Sequence, residues 1–182
     1  SGITRATRYG YDEQGDKTLQ RDAHSNEVRW IPDPVARTHT RILPDGTREI
    51  YEHDLEGQVL AKTTFAGQRI QSTYDATGRE RTRTIPATAN TPARAIAWTY
   101  DDAGRRLTQT ETGPTSAQGT TTWRYDAQGR PLEQAGPHGT LNWAYDNAGR
   151  ITQRTTSEGT TRYDWDGDGR MTKMTAPDNK ET

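Results

Sequence analysis

Trp123-Arg124-Tyr125-Asp126-Ala127-Gln128-Gly129-Arg130 decides how this chain reads, because the phrase keeps returning. Close copies stand at Trp98-Thr99-Tyr100-Asp101-Asp102-Ala103-Gly104-Arg105 and Trp143-Ala144-Tyr145-Asp146-Asn147-Ala148-Gly149-Arg150. Looser ones begin at Tyr9-Gly10-Tyr11-Asp12, Trp30-Ile31-Pro32-Asp33, Tyr51-Glu52-His53-Asp54, Thr73-Tyr74-Asp75 and Tyr163-Asp164-Trp165-Asp166. The motif aspartates at 12, 33, 54, 75, 101, 126, 146 and 166 are separated by 21, 21, 21, 26, 25, 20 and 20 residues. A period of this length marks a repeat architecture, in which each unit is one supersecondary element stacked on its neighbours.

Within a copy the chemistry is that of a hairpin. Trp123 and Tyr125 are two apart and share one face of an extended strand. Asp126 opens a turn, where its carboxylate accepts hydrogen bonds from nearby amides. Gly129 supplies the positive φ that closes a three-residue loop. Gly fills that slot in seven of the eight copies (Gly15, Gly57, Gly78, Gly104, Gly129, Gly149 and Gly169), with Ala36 the exception. Arg follows it in six, as in Arg79 and Arg170, while Asp16 and Gln58 depart. Such a hairpin sets Arg130 across the turn from Asp126, a pair worth at most about 1 kcal/mol if exposed. These aromatic, Asp, Gly and Arg positions are the structural motif residues.

A second family of turns lies between the motifs, at Pro44-Asp45-Gly46, Ala66-Gly67-Gln68, Gly136-Pro137-His138-Gly139 and Glu158-Gly159. The two long intervals contain longer connections, from Pro86 to Pro92 and from Gly113 to Gly119. Two turns in each repeat leave two strands of about seven residues. Thr, about a sixth of the chain, favours strands and suits a wet face. The prediction is all-β: tandem hairpins in one continuous antiparallel, curled sheet of up to about sixteen strands. The organisation expected is a lead-in over 1–8, whose Ser1-Gly2 reads as a tag scar, a repeat domain over 9–175 and a tail over 176–182.

Leu, Ile, Val and Phe total only 19 of 182 residues, which alone would suggest disorder. Two facts oppose that. The net charge is only -1, so the chain lacks the self-repulsion that keeps disordered segments expanded. All thirteen Trp and Tyr residues also fall in motif slots. An aromatic ladder can therefore replace an aliphatic core. With no cysteine there is neither a disulfide nor a thiolate metal site. No apolar run reaches the roughly 18 residues of a membrane span, and no secretory signal opens the chain.

The phrase, eight times in phase from Tyr9 to about Met171, resembles the YD repeat of rearrangement-hotspot (Rhs) proteins, insecticidal toxin complexes and teneurins. That resemblance implies a β-sheet spiralling into a hollow shell, which in bacterial members encloses a C-terminal toxin, often delivered by type VI secretion. It implies a structural role without catalysis or cofactor. The implied partners are neighbouring repeats and the enclosed toxin, in a parent secreted by or injected from a bacterium. The family's Asp-Pro-x-Gly-Leu autoproteolysis motif is absent from the sequence, and Pro32-Asp33-Pro34-Val35 does not match it. The open first and last strands invite self-association.

Other chemistries weigh less. Carboxylates a whole repeat apart do not cooperate simply, and His24, His39, His53 and His138 are scattered. Asp164, Asp166 and Asp168 imitate the start of a calcium loop, but Thr175 stands where the bidentate Glu belongs, and Asp166 and Gly169 already fill the repeat's turn slots. Aromatics interleaved with Arg suit single-stranded nucleic acid, yet acidic residues balance the Arg here. The main rival is a carbohydrate-binding or adhesion module that grips glycans with its aromatics.

Overall fold

A computed structural model describes residues 6–35, 37–114 and 119–178. Sixteen antiparallel strands form one open sheet whose spatial order is the chain order. The first compact unit, residues 1–95, holds β1 (Arg8–Tyr11), β2 (Lys17–Arg21), β3 (Glu27–Asp33), β4 (Thr38–Ile42), β5 (Arg48–His53), β6 (Val59–Thr63), β7 (Arg69–Tyr74) and β8 (Glu80–Ile85). Across the boundary runs β9 (Arg94–Tyr100). The second unit, residues 96–182, holds β10 (Arg106–Thr112), β11 (Gly119–Tyr125), β12 (Pro131–Gly136), β13 (Gly139–Tyr145), β14 (Ile151–Thr156), β15 (Gly159–Trp165) and β16 (Met171–Thr175).

Seven of the motif turns, all but the one at Asp33, close their hairpins in the same way. The Asp carbonyl accepts the amide of the Gly three residues on, and the Asp amide donates to the carbonyl of the next residue. In the Asp126 turn these bonds are 3.0 and 2.9 Å. Gly129 has φ 85°, the left-handed conformation that finishes a type I turn with a one-residue bulge. The Asp126 Oδ1 atom then accepts the amides of Gln128 (2.9 Å) and Arg130 (2.8 Å), so the turn amides are satisfied.

The turns at the other strand ends explain the period. In the first unit they have the same five-residue form, closed from Asp22 to Asn26, Leu43 to Thr47 and Thr64 to Gln68. The first of these is invisible to a glycine search, because Ser25 takes the left-handed slot with φ 65°. In the second unit Gly136 pairs with Gly139 and Thr156 with Gly159, leaving two-residue loops. One residue fewer in that loop is the difference between a 21- and a 20-residue repeat. The longer intervals carry their extra residues at this same end, after β8 and after β10.

A bulge follows at least six of the motif turns. Arg124 pairs with Glu133 but Tyr125 with Pro131, so Leu132 is inserted. Thr18, Leu60, Arg81, Thr152 and Thr172 are inserted in the same way. The second repeat, with Pro32 in its Tyr slot, pairs evenly from Arg29↔Ile42 to Asp33↔Thr38 and has no bulge. The bulge explains why no single register rule holds after the turn: the apolar residue falls two places after Gly at Val59, Ile151 and Met171, but three after it at Leu107 and Leu132. At a bulge both positions face one residue of the opposite strand.

The sheet is a single layer. Along β11 the residues alternate between half-buried and exposed, with Trp123 and Tyr125 on the half-buried face. Among the described residues only Ala61 and Glu49 are buried, and no large side chain is fully enclosed. Glu49 survives there because Lys62 reaches it at 2.6 Å. Hydrogen bonds from the Lys62 ammonium to Glu49 and then to Tyr51 push the Lys62 pKa upward. With so little apolar burial, contacts between consecutive hairpins must do what a core does elsewhere.

Candidate functional site: an inter-repeat ladder

The four best-preserved motif arginines reach back to their own turn through Nε. The distances to the Asp Oδ2 are 2.7 Å for Arg79–Asp75, 2.6 Å for Arg105–Asp101, 2.6 Å for Arg130–Asp126 and 2.7 Å for Arg150–Asp146. That much the sequence anticipates. Its other half joins one repeat to the next. Arg105 Nη1 donates to the Asp126 carbonyl (3.5 Å), Arg130 Nη1 to that of Asp146 (3.4 Å) and Arg150 Nη1 to that of Asp166 (2.8 Å). The same guanidiniums lie over the next aromatic: Arg105 over Tyr125 at 4.9 Å, Arg130 over Tyr145 at 4.5 Å and Arg150 over Trp165 at 5.7 Å. Arg suits this place because its planar fork can bond a carboxylate at one edge while its face lies on a ring.

The aromatic completes the exchange. Tyr74 Oη donates to the Val59 carbonyl, Tyr125 to Arg106 and Tyr145 to Pro131, each at 2.9 Å, and Trp165 Nε1 donates to Ile151 at 2.8 Å. The Val59, Pro131 and Ile151 carbonyls belong to the residue just before the bulge. The ladder between β12 and β13 begins at Glu133↔Asn142, two residues past Pro131. The pairs β6/β7, β10/β11 and β14/β15 begin equally late. Near the motif turns, therefore, consecutive hairpins are joined by side chains where backbone pairing has stopped. Where the bulge is missing, the joint changes: β4 and β5 pair fully, the His53 amide donates to the Arg37 carbonyl at 2.9 Å, and the His53 ring Nδ1 lies 3.3 Å from the same oxygen.

Departures from the motif follow its logic. Gln58, in the Arg slot, donates Nε2 to Asp54 Oδ2 at 3.0 Å, keeping the local half. Asp16, in the first repeat, places a carboxylate where a cation belongs. Glycine also answers a packing need: a Cβ on Gly129 would lie 3.2 Å from Arg105 Nη1. Arg170 is the informative exception. Its turn matches the others, but the side chain is 79% exposed and among the described residues pairs only with Asp168, against 29–35% for Arg79, Arg105, Arg130 and Arg150. Among the described residues no repeat follows it.

The wider aromatic face is capped by cations as well. Lys17 Nζ sits 4.0 Å from the Trp30 ring, Lys62 4.9 Å from Tyr51 and Arg106 5.4 Å from Trp123. Trp98 donates Nε1 to Gln109 at 3.0 Å. Trp143, Tyr100 and Trp165 are half-buried on their strands, whereas Tyr11 is 62% exposed. Of the calcium-like aspartates, Asp166 performs the turn role, Asp164 lies opposite Lys173 in the β15/β16 ladder and Asp168 sits in the loop. Among the described residues no cluster of three His, Cys, Asp or Glu side chains could hold a metal.

Hydrogen bonding sets the acidity of the ladder. At Asp75, Asp101 and Asp126 burial pushes the carboxyl upward, but donors outweigh it: Thr77 and Arg79 at Asp75, and the Arg105 or Arg130 amide and guanidinium at the others. At Asp146 the Arg150 amide is the largest influence, ahead of burial, which opposes it, and of the guanidinium. All four pKa values fall below the usual carboxylate range. A carboxyl with a lowered folded pKa contributes its stability above the unfolded value, near 4, and loses it as pH falls toward the folded value. The melting temperature should be level from neutral pH to about pH 5 and drop below about pH 4. A thermal series by circular dichroism checks this, and a melting temperature unchanged at pH 3 would contradict the ladder electrostatics.

Residues 100–141 and 145–181 match the family described as RHS Repeat. No curated protein sequence matches the chain significantly. Among solved structures it is similar to TcdB2-TccC3 without its hypervariable C-terminal region, at 16% identity and a TM-score of 0.70, covering 94% of this chain and 12% of that one. It is similar too to TcdB2-TccC3-TEV, at 19% identity and a TM-score of 0.71, with 94% and 10% covered. The Photorhabdus luminescens Tc holotoxin pore matches at 15% identity and a TM-score of 0.69, with 93% and 12% covered. At these identities the likeness is one of fold, and the chain spans about a tenth of the length of those structures.

Proposed function

We propose that this chain is a run of Rhs (YD) repeats, as the family match over residues 100–141 and 145–181 and the shared fold support, and that it is wall material of a bacterial protein whose β-shell encloses a C-terminal toxin until delivery. The observation that carries this reading is the ladder. Arg105, Arg130 and Arg150 are spent on the following repeat, and Tyr125, Tyr145 and Trp165 on the preceding one, so such a repeat is complete only inside a longer array. A single-layer sheet without a core suits a wall, whose stability grows by addition of identical joints. The role is mechanical and needs no catalytic group or cofactor. Its partners are the adjoining repeats and an enclosed toxin domain, and its site of action lies outside the producing cell, by secretion or injection.

The glycan-binding reading draws less support from the geometry. The rings of Trp30, Tyr51, Trp123, Tyr125 and Tyr145 each face a Lys or Arg of the same sheet, so these platforms are already occupied.

The enclosing role is tested in the parent protein by deleting one whole 20-residue repeat, Asp126–Tyr145. The expected result is a shell that still folds but leaves a break through which protease reaches the domain within. Unchanged protection of that domain, in a protein shown to lack the repeat, would sink the enclosing role.

A further inference from the structure

A second kind of contact joins strands of the second unit at the turns away from the motif. A Cβ on Gly119 would lie 2.5 Å from Pro137 Cγ, and one on Gly159 2.6 Å from Pro177 Cβ. Each proline ring therefore rests on backbone that glycine leaves bare. The spacing is eighteen residues in both cases. Gly139 stands at the equivalent place in the repeat between them, and eighteen residues after it comes Ser157. Nothing among the described residues lies within 4 Å of a Cβ built there. The seat exists and its proline is missing.

A cavity of about 460 Å³ opens at this place, within the size range of small-ligand sites. It lies on the face that carries Trp123 and Trp143, because Gln134 and Arg154, which line it, are their cross-strand partners. Its strands, β11 to β15, each have a paired neighbour on both sides. Gly136, Gly139 and Gly159 leave backbone open to it, and Pro177 borders it. His138 and Glu158 line it as well, and among the described residues the side chains of Gln134, His138, Arg154 and Glu158 have no hydrogen bond or ion pair. Unengaged donors and acceptors around a bare apolar seat suit a ligand that brings both kinds of group.

We propose that the cavity binds an extended, proline-bearing segment of a partner polypeptide, its proline ring on Gly139 as Pro137 sits on Gly119. Proline suits the seat because it has no amide hydrogen to strand against the glycine backbone. Its fixed φ also leaves little freedom to lose on binding. The carbonyl before the proline accepts from the Arg154 guanidinium, and the next free amide of the segment donates to Glu158. The proposal rests on the seat alone and stands whether or not the parent encloses a toxin.

Two blocked tripeptides, acetyl-Ala-Pro-Ala-amide and acetyl-Ala-Ala-Ala-amide, test it by titration into the isotope-labelled chain, followed through its amide nuclear magnetic resonance spectrum. The proline peptide should shift the signals of Gly139, Arg154 and Gly159. It should bind about tenfold more tightly than the alanine peptide, which buries two fewer methylene groups. Arg154→Ala removes an exposed side chain with no partner of its own, so the variant should fold as the wild type does and bind the proline peptide about tenfold more weakly. Ser157→Pro supplies the missing ring from the chain itself. The loop between Thr156 and Gly159 has the two-residue form that already holds Pro137 between Gly136 and Gly139. This variant should therefore melt no lower than the wild type and lose the peptide-induced shifts. The proposal is overturned if neither peptide shifts these signals up to its solubility limit, if the two bind equally, or if either folded variant binds as the wild type does. A monosaccharide, N-acetylglucosamine, that shifts the same signals when neither peptide does would overturn it in favour of a glycan site.

Discussion

Tyr145→Ala is expected to destabilise the second unit by about 2–3 kcal/mol, below the range for a fully buried aromatic because the ring is only half-buried. The loss combines three contacts made by one side chain. The ring packs between hairpins, the Arg130 guanidinium lies 4.5 Å from its centre and the hydroxyl donates to the Pro131 carbonyl. Tyr145→Phe removes only the last and leaves that carbonyl without its donor, a loss of about 1 kcal/mol. Tyr11→Ala is the control: the same motif position, 62% exposed and with no preceding repeat among the described residues, expected to stay within about 0.5 kcal/mol of the wild type. Urea unfolding followed by tryptophan fluorescence ranks the three. Equal costs at Tyr145 and Tyr11 would mean that the aromatic serves its own strand and not the joint.

The contrast between these two tyrosines shows where sequence reading stops. The turn is written in adjacent residues: Asp opens it, Gly closes it and Arg returns to Asp, so hairpins and strand number are legible from one copy of the phrase. The joint is not local. Arg130 meets Tyr145 fifteen positions later, and which carbonyl faces the tyrosine depends on a bulge that inserts Leu132. Because the bulge puts two consecutive residues against one, the alternation after the turn gives conflicting registers. One signal was present but ambiguous. The aromatic, Asp, Gly and Arg recur together, and two copies lose more than one part: the second has Pro32 and Ala36 and also lacks the bulge, and the third has His53 and Gln58. Loss in concert indicates a shared contact, though not which atoms meet. The far turns show the opposite case. Asp22 to Asn26 closes like the rest, but with Ser25 in the left-handed slot, and nothing in its residues announces a positive φ.

Arg130→Ala should cost about 2 kcal/mol, because it releases a charge-assisted bond to Asp126 Oδ2 at 2.6 Å, a longer one to the Asp146 carbonyl and the contact with Tyr145. Arg130→Lys should lose more than half of this. An ammonium carries the charge, but it has no planar fork to bond one repeat while lying on the ring of the next. Arg170→Ala should be nearly neutral, since that side chain reaches only Asp168 at 3.5 Å in solvent. A double-mutant cycle then separates the local role from the joining role. Arg130 and Tyr145, one repeat apart, should couple by about 0.5–1 kcal/mol. Arg130 and Tyr125, in the same repeat, should be close to additive, because the Tyr125 ring is held by Arg105 instead. If the coupling falls on Tyr125, the motif is a hairpin code that happens to repeat. If it falls on Tyr145, the repeating unit that matters physically is the joint, made from the end of one phrase and the beginning of the next.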